Sequence, residues 1–175
     1  MKKLSLSDLN RISTEEFKQK KKTPLIIILD NIRSMNNVGS IFRTADAFAL
    51  EKLYLCGITA TPPNKEITKT ALGATESVDW EYREDVVALV KELKQKDIKS
   101  FIVEQTDNSI MLQDFTLQKE EIIALVFGNE VFGISDELLP EVAGALEIPQ
   151  FGTKHSLNVS VAGGIAIWEI FKKLA

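Results

Sequence analysis

Cysteine and histidine are nearly absent from this chain, with one of each, Cys56 and His155, in 175 residues. A lone cysteine removes any intramolecular disulfide framework, and one histidine beside it leaves no Cys/His ligand set, so no metal is expected. No uncharged apolar run reaches the ~18 residues that a membrane-spanning helix needs, and Met1-Lys2-Lys3 leads into a polar stretch rather than a signal-peptide core. A soluble, cytoplasmic protein without membrane contact is the expectation. Gly-x-Gly-x-x-Gly and the Walker phosphate loop are also missing, so nothing marks a nicotinamide-dependent oxidoreductase or a nucleoside triphosphatase.

What is present suits one globular domain: 45% of residues are hydrophobic and 26% charged. The net charge of −4 argues against a generic nucleic-acid binder, but the charge is unevenly placed. Residues 1–43 hold nine Lys and Arg against four Asp and Glu, which leaves twelve against 21 for the rest. Lys18, Lys20, Lys21 and Lys22 form a cluster that suits either phosphate contact or a solvated helix end.

Apolar periodicity alternates strands with helices, the pattern of an α/β domain with a mainly parallel sheet covered on both faces. Helical spacing over residues 8–20, with the capping-box sequence Ser13-Thr14-Glu15-Glu16, predicts a helical N-terminal extension within residues 1–23. The domain proper, 24–175, opens on a buried strand at 25–29. A helix near 38–50, a strand at 52–56, a Pro62-Pro63 loop, a short helix near 65–72, a strand at 77–82 and an amphipathic helix over 85–95 follow. Residues 100–103 and 122–127 read as strands entering polar or glycine-bearing loops. Ligand crevices of open parallel sheets lie at the carboxyl ends of strands, which singles out 104–109 and 128–133.

Three segments carry residue types that packing alone does not require. The first, Asp30-Asn31-Ile32-Arg33-Ser34-Met35-Asn36-Asn37-Val38-Gly39-Ser40-Ile41-Phe42-Arg43, is a polar loop running from a buried strand into a helix. Asn37 suits the N-cap, Gly39 lets a ligand or backbone approach the helix start, and Arg43 lies about a turn beyond the free amides. An ordinary cap followed by an exposed arginine fits the local sequence as well. The second, Gly128-Asn129-Glu130-Val131-Phe132-Gly133, breaks a strand with two glycines that allow close main-chain approach to a flat ligand, although any tight strand-to-helix turn can look the same. The third runs from Glu147-Ile148-Pro149 through Lys154-His155-Ser156-Leu157-Asn158-Val159-Ser160 into a C-terminal helix that is apolar nearly all round. Gly163-Gly164 in its interior costs roughly 1 kcal/mol per glycine relative to alanine, which calls for a close neighbour, either the chain's own core or a second subunit.

Taken in order, Asn37-x-Gly39-x-x-x-Arg43, Ala71-Leu72-Gly73-Ala74, Gly128-Asn129-Glu130-x-x-Gly133 and Ile148-Pro149 followed by Ser156-Leu157-Asn158-x-Ser160 resemble the SpoU/TrmH family of RNA 2′-O-ribose methyltransferases, of the SPOUT superfamily. The resemblance spans about residues 24–175. It implies S-adenosylmethionine as methyl donor, a SPOUT-type sheet with a C-terminal trefoil knot, and a homodimer formed through the C-terminal helix. By matching position, the donor is held by main chain at Glu104 or Gln105, Gly128, Ile148 and Leu157, with Asn129, Glu130 and Gly133 shaping the loop. Arg43, Ser156 and Asn158 match the residues associated with catalysis, with Asn37 and Glu130 in support.

The resemblance also implies a proton-accepting role for Arg43. Arginine keeps its proton above about pH 12, so its chemistry favours binding a phosphate beside the target ribose and orienting the hydroxyl. His155 stands next to Ser156, yet a lone loop histidine suits structure or RNA contact equally. Arg33, Arg43, Lys154, Lys21 and Lys22 are the candidate RNA contacts, with transfer RNA the first expected substrate and ribosomal RNA the second. A non-catalytic RNA-binding or assembly factor of the same fold, and a base-methylating relative, are the alternatives.

Overall fold

The apolar run after Pro24 becomes the middle of the sheet: β1 (Thr23–Asp30) is buried from Leu25 through Asp30, as a central parallel strand requires. The computed structural model describes residues 1–5, 8, 12–118 and 120–174. Around β1 stand β2 (Leu50–Cys56), β3 (Trp80–Arg83), β4 (Lys99–Val103), β5 (Ile110–Met111), β6 (Ile123–Phe127) and β7 (Gly144–Glu147). Their order is β3-β2-β1-β6-β4-β7-β5, with every pairing parallel. The chain leaves β1 toward one edge and β6 toward the other. The carboxyl ends of β1 and β6 are therefore a topological switch point, where open sheets leave a crevice.

The α-helices among the described residues are α1 (Thr14–Gln19), α2 (Met35–Ala47), α3 (Lys65–Ala71), α4 (Ala74–Ser77), α5 (Val86–Gln95) and α6 (Val159–Leu174). On one face Ile27, Leu29, Leu125 and Phe127 pack with Ile41 and Phe42 of α2 and Ile167 and Ile170 of α6. On the other, Ile26, Ile28 and Val126 pack with Leu89, Val90 and Leu93 of α5. Alternate residues of one strand thus face different helices. Among the described residues no helix is long and apolar enough to cross a membrane.

Several boundaries differ from the sequence expectation. The helix expected over 38–50 starts at Met35 because Ser34, not Asn37, is the N-cap; the Ser34 hydroxyl accepts from the Asn37 N–H at 3.3 Å. It ends at Ala47, and Leu50 already begins β2. The strand expected at 77–82 begins only at Trp80, since Leu72 (φ 50°) and Gly73 (φ 91°) turn the chain into α4 first. Strands β5 and β7, two and four residues long, are too short to show an alternating pattern. α1 opens on the expected capping box, with Ser13 N–H donating to Glu16 at 2.7 Å and Glu16 N–H to Ser13 at 3.2 Å. Residues 9–11 of the expected 8–20 helix lie outside the described residues.

The two glycine expectations resolve differently. Gly39 is approached by backbone: a Cβ there would lie 2.3 Å from the Ile67 carbonyl oxygen of α3 and 2.1 Å from Thr70 Oγ1. A Cβ at Gly163 would meet Ile41 at an ordinary 3.5 Å and one at Gly164 would have nothing within 4 Å, so the chain's own core requires neither glycine.

Candidate active site at the carboxyl edge of the sheet

Loop 128–133 is closed by its own main chain, with Asn129 N–H donating to the Gly133 carbonyl at 3.1 Å and Gly133 N–H to the Asn129 carbonyl at 2.9 Å. No side chain fits at 128, where a Cβ would lie 2.4 Å from the Gly133 carbonyl oxygen, and Gly133 holds φ 66°. The Asn129 carbonyl oxygen Oδ1 accepts from the N–H groups of Val131 and Phe132 at 2.9 and 3.0 Å. Its Nδ2 donates across the switch point to the Asn31 carbonyl at 2.7 Å. This ties β6 to the exit of β1.

Glu130 makes the second tie. Its carboxylate accepts from the N–H groups of Arg33 at 2.9 Å and Ser34 at 3.0 Å and from Asn37 Nδ2 at 3.3 Å. Asn37 Oδ1 in turn accepts from Asn158 Nδ2 at 3.2 Å, while Asn158 Oδ1 caps the start of α6 by accepting from Ser160 N–H at 2.9 Å. One hydrogen-bonded chain, Glu130–Asn37–Asn158, therefore joins three segments that are far apart in sequence. Burial raises the Glu130 pKa, but the Arg33 and Ser34 amides and the Asn37 side chain outweigh it and hold the carboxyl below its ordinary value.

Beside this chain lies a cavity of about 710 Å³. Glu104 and Gln105 enter it from β4, Gly128, Asn129, Glu130 and Gly133 from the β6 loop, and Ile148 from β7. Ser156, Leu157 and Asn158 close it ahead of α6. The structure thus gathers the residues expected at the donor site into one cavity, with Ser156 and Asn158 at its wall. Val103, Phe127, Ile134 and Ala162 are among the apolar residues that give the lining its mixed polarity, the usual make-up of a small-molecule site.

The cationic residues are placed otherwise. Arg43 is exposed on α2, outside that cavity, and its guanidinium has no partner among the described residues. Arg33 and Lys154 are exposed in loops. Lys21 stands 3.5 Å from Glu120, both largely exposed, a pair worth little in water. Lys22 is turned inward, donating to the Phe17 carbonyl and lying 3.4 Å above the Phe17 ring, so its ammonium anchors α1.

Sequence reasoning missed Asp30 as a site residue. It is 3% exposed at the end of β1, accepts from Asn31 Nδ2 at 2.8 Å, and has its pKa pushed up to about 6 by burial and then by Asp85. The available signal was a carboxylate closing the apolar run Leu25–Leu29. Burial also pushes the Cys56 thiol up to about 12, which makes it unreactive. Because the folded Asp30 pKa lies above its unfolded value, its favourable contribution is complete below about pH 4 and is lost as pH rises through 6. Asp30→Asn is therefore expected to stabilise the fold by roughly 2–3 kcal/mol at pH 8 and by little at pH 4, as read by denaturant unfolding at both values.

A sequence model of the SpoU rRNA methylase family matches residues 24–168. The 23S rRNA (guanosine-2′-O-)-methyltransferase RlmB of Haemophilus ducreyi is 31% identical over 172 residues, covering 95% of this chain and 67% of that protein. The TrmH/SpoU tRNA modifying enzyme of A. aeolicus superposes with a TM-score of 0.79 at 27% identity, over 91% of this chain and 79% of the other. A chain solved for 2-OH methylation of C/U34 on tRNA gives a TM-score of 0.75 at 25% identity, over 87% and 98%. The chain spans 62–67% of the length of the curated relatives compared. With the family's match over most of its length and the motifs gathered at one edge of its sheet, this chain belongs to the SpoU rRNA methylase family.

Proposed function

We propose that the chain transfers a methyl group from S-adenosylmethionine to a ribose 2′-hydroxyl of RNA, transfer RNA before ribosomal RNA. The observation that carries this is the Glu130–Asn37–Asn158 chain standing at the wall of a cavity large enough for the donor. The donor would supply an activated methyl on a sulfonium; main chain at Glu104 or Gln105, Gly128, Ile148 and Leu157 would hold it, and the missing Cβ at 128 leaves the loop its tight closure. What remains for the protein is alignment of the acceptor hydroxyl, whose proton would leave to water as the oxygen takes up the methyl and the sulfur keeps the electron pair of the broken bond. Asn158 and Ser156 form the polar wall on which that hydroxyl is set, and Asn37, fixed at both ends of its amide, holds Asn158 from behind. Arg43 grips the neighbouring phosphate through its planar fork, so Arg43→Lys loses turnover although charge is kept. Calorimetry with S-adenosylmethionine tests the donor site, with one site per chain expected and none after Gly128→Val. RNA affinity is expected to fall steeply with added salt, and a flat response contradicts phosphate-driven recognition.

The reading includes a homodimer. Arg43 lies outside the cavity within one chain, and α6 leaves Val161 (51% exposed), Ile165 (41%) and Trp168 (50%) in a stripe at helical spacing beside α2. Pairing two copies through this stripe covers it and adds a second set of α2 residues to each site. The same family reading threads the segment leading into α6 as a trefoil knot. Ile165→Glu is expected to give a monomer by light scattering, with methyl transfer reduced about a hundredfold because the acceptor site is left unassembled. A fully active monomer contradicts the dimer.

A further inference from the structure

A second cavity, of about 420 Å³, opens on the other side of the 129–133 loop, beyond the carboxyl ends of β1, β2 and β6. Asp30, Arg33, Ile58 and Phe132 are among its walls. Asp30 is 3% exposed, while Ile58 and Phe132 are 67% and 84% exposed. The carboxylate is the floor and the two apolar side chains are the rim. Among the described residues one hydrogen bond reaches that carboxylate, from Asn31 Nδ2 to Oδ1. Oδ2 has no donor there.

The floor is built and held. Asn31 adopts φ 55°, and its Oδ1 accepts from Ile58 N–H at 3.1 Å. Gly57 makes room for that amide, since a Cβ at 57 would lie 2.2 Å from Asn31 Oδ1. A buried carboxylate can only accept, and leaving it short of donors is costly, so it calls for a ligand that brings N–H groups. Exposed Phe132 and Ile58 offer the flat apolar contact on which unstacked bases are held. Guanine alone among the four RNA bases places two adjacent N–H donors, N1–H and N2–H, on one edge. Adenine, cytosine and uracil set an acceptor beside a donor there and leave one carboxylate oxygen facing a lone pair.

We propose that this cavity receives the base of the nucleotide whose ribose is methylated, and that Asp30 selects guanine by accepting from its N1–H and N2–H. The proposal rests on the methyl-transfer reading above. It gives the loop two faces, with the donor cavity on one side and the base on the other, and Asn129, Phe132 and Gly133 line both. Arg33, exposed at the mouth, lies where the phosphate of the same nucleotide leaves the pocket. Burial and then the Asp85 charge raise the Asp30 pKa, which agrees with a carboxylate set at the floor of a pocket.

Titration of the full chain with guanosine, adenosine, cytidine and uridine 5′-monophosphates, followed by amide shifts in NMR spectra, reads the cavity without any methyl transfer. The guanosine nucleotide is expected to move the Ile58 and Asn31 signals and to bind about tenfold more tightly than the other three, the equivalent of one extra charge-assisted hydrogen bond. Asp30→Asn, which replaces one acceptor by a donor, is expected to abolish that preference. Ile58→Ala, at an exposed position that the fold does not need, weakens binding while the spectrum stays native. Equal response to all four nucleotides, or an intact guanosine preference in Asp30→Asn, overturns the proposal. Methylation run alongside separates the two readings. Ribose label entering pyrimidine nucleotides equally in wild type and Asp30→Asn overturns the base pocket alone. Guanosine binding in the cavity with no ribose label in any RNA overturns the methyl-transfer reading, and with it the role given to the pocket.

Discussion

Glu130→Ala is expected to lower the rate of methyl transfer by about 10²–10³-fold, with a much smaller effect on donor affinity. The carboxylate is the shared acceptor for the Arg33 and Ser34 N–H groups and the Asn37 amide, so its removal releases the loop between β1 and α2 and the amide that meets Asn158. Water reaches these groups, which limits the stability loss to about 1 kcal/mol. Rate is more sensitive, because a displacement of about 1 Å in a positioned acceptor costs roughly a hundredfold. Glu130→Gln keeps the shape but turns one acceptor into a donor facing an N–H, and is expected to fall between wild type and alanine. Single-turnover rates at saturating donor and RNA read the effect; unchanged rates in both variants contradict the clamp. Acid acts on the same contact. The folded Glu130 pKa is depressed, so its contribution is present above the unfolded value of about 4.3 and is lost as pH falls through the lower folded value, which loosens the loop in acid.

Gly39→Ala is expected to destabilise the fold by about 3 kcal/mol, lowering Tm by roughly 6–12 °C. The added methyl would meet the Ile67 carbonyl oxygen and the Thr70 hydroxyl, which itself donates to the Asn36 carbonyl at 3.1 Å. The first of these is backbone and cannot rotate away, so α2 and α3 must separate. In a helix interior alanine is normally the better residue by close to 1 kcal/mol, so the sign of the result is decided by packing. Thermal unfolding of the two proteins settles it, and an equal or higher Tm contradicts the close contact. Because α2 carries Asn37 and Arg43, the variant is also expected to lose activity below its Tm.

The parallel sheet and most of its helices were legible because buried strands read as apolar runs and α5 as a periodic face. Local competition hid the rest. Ser34 and Asn37 are both good caps, and only the fold shows that Asn37 is held instead by Glu130 and Asn158. The expected donor residues do converge on one cavity, yet composition and spacing alone left each segment with an ordinary structural reading; their order along the chain is what distinguished them. Lys22 illustrates the converse, since a lysine cluster cannot reveal that one member is folded back over Phe17. Asp30 escaped notice because a single carboxylate at a strand end acquires its meaning from burial, which sequence does not display.

The central claim, transfer to a ribose hydroxyl, is tested most directly by alkaline hydrolysis of unmodified RNA incubated with the protein and methyl-labelled S-adenosylmethionine. A methylated 2′ oxygen cannot attack its own phosphate. Label is expected in alkali-resistant dinucleotides and is expected to vanish with Arg43→Ala. Label released in mononucleotides would mean base methylation and would contradict the account.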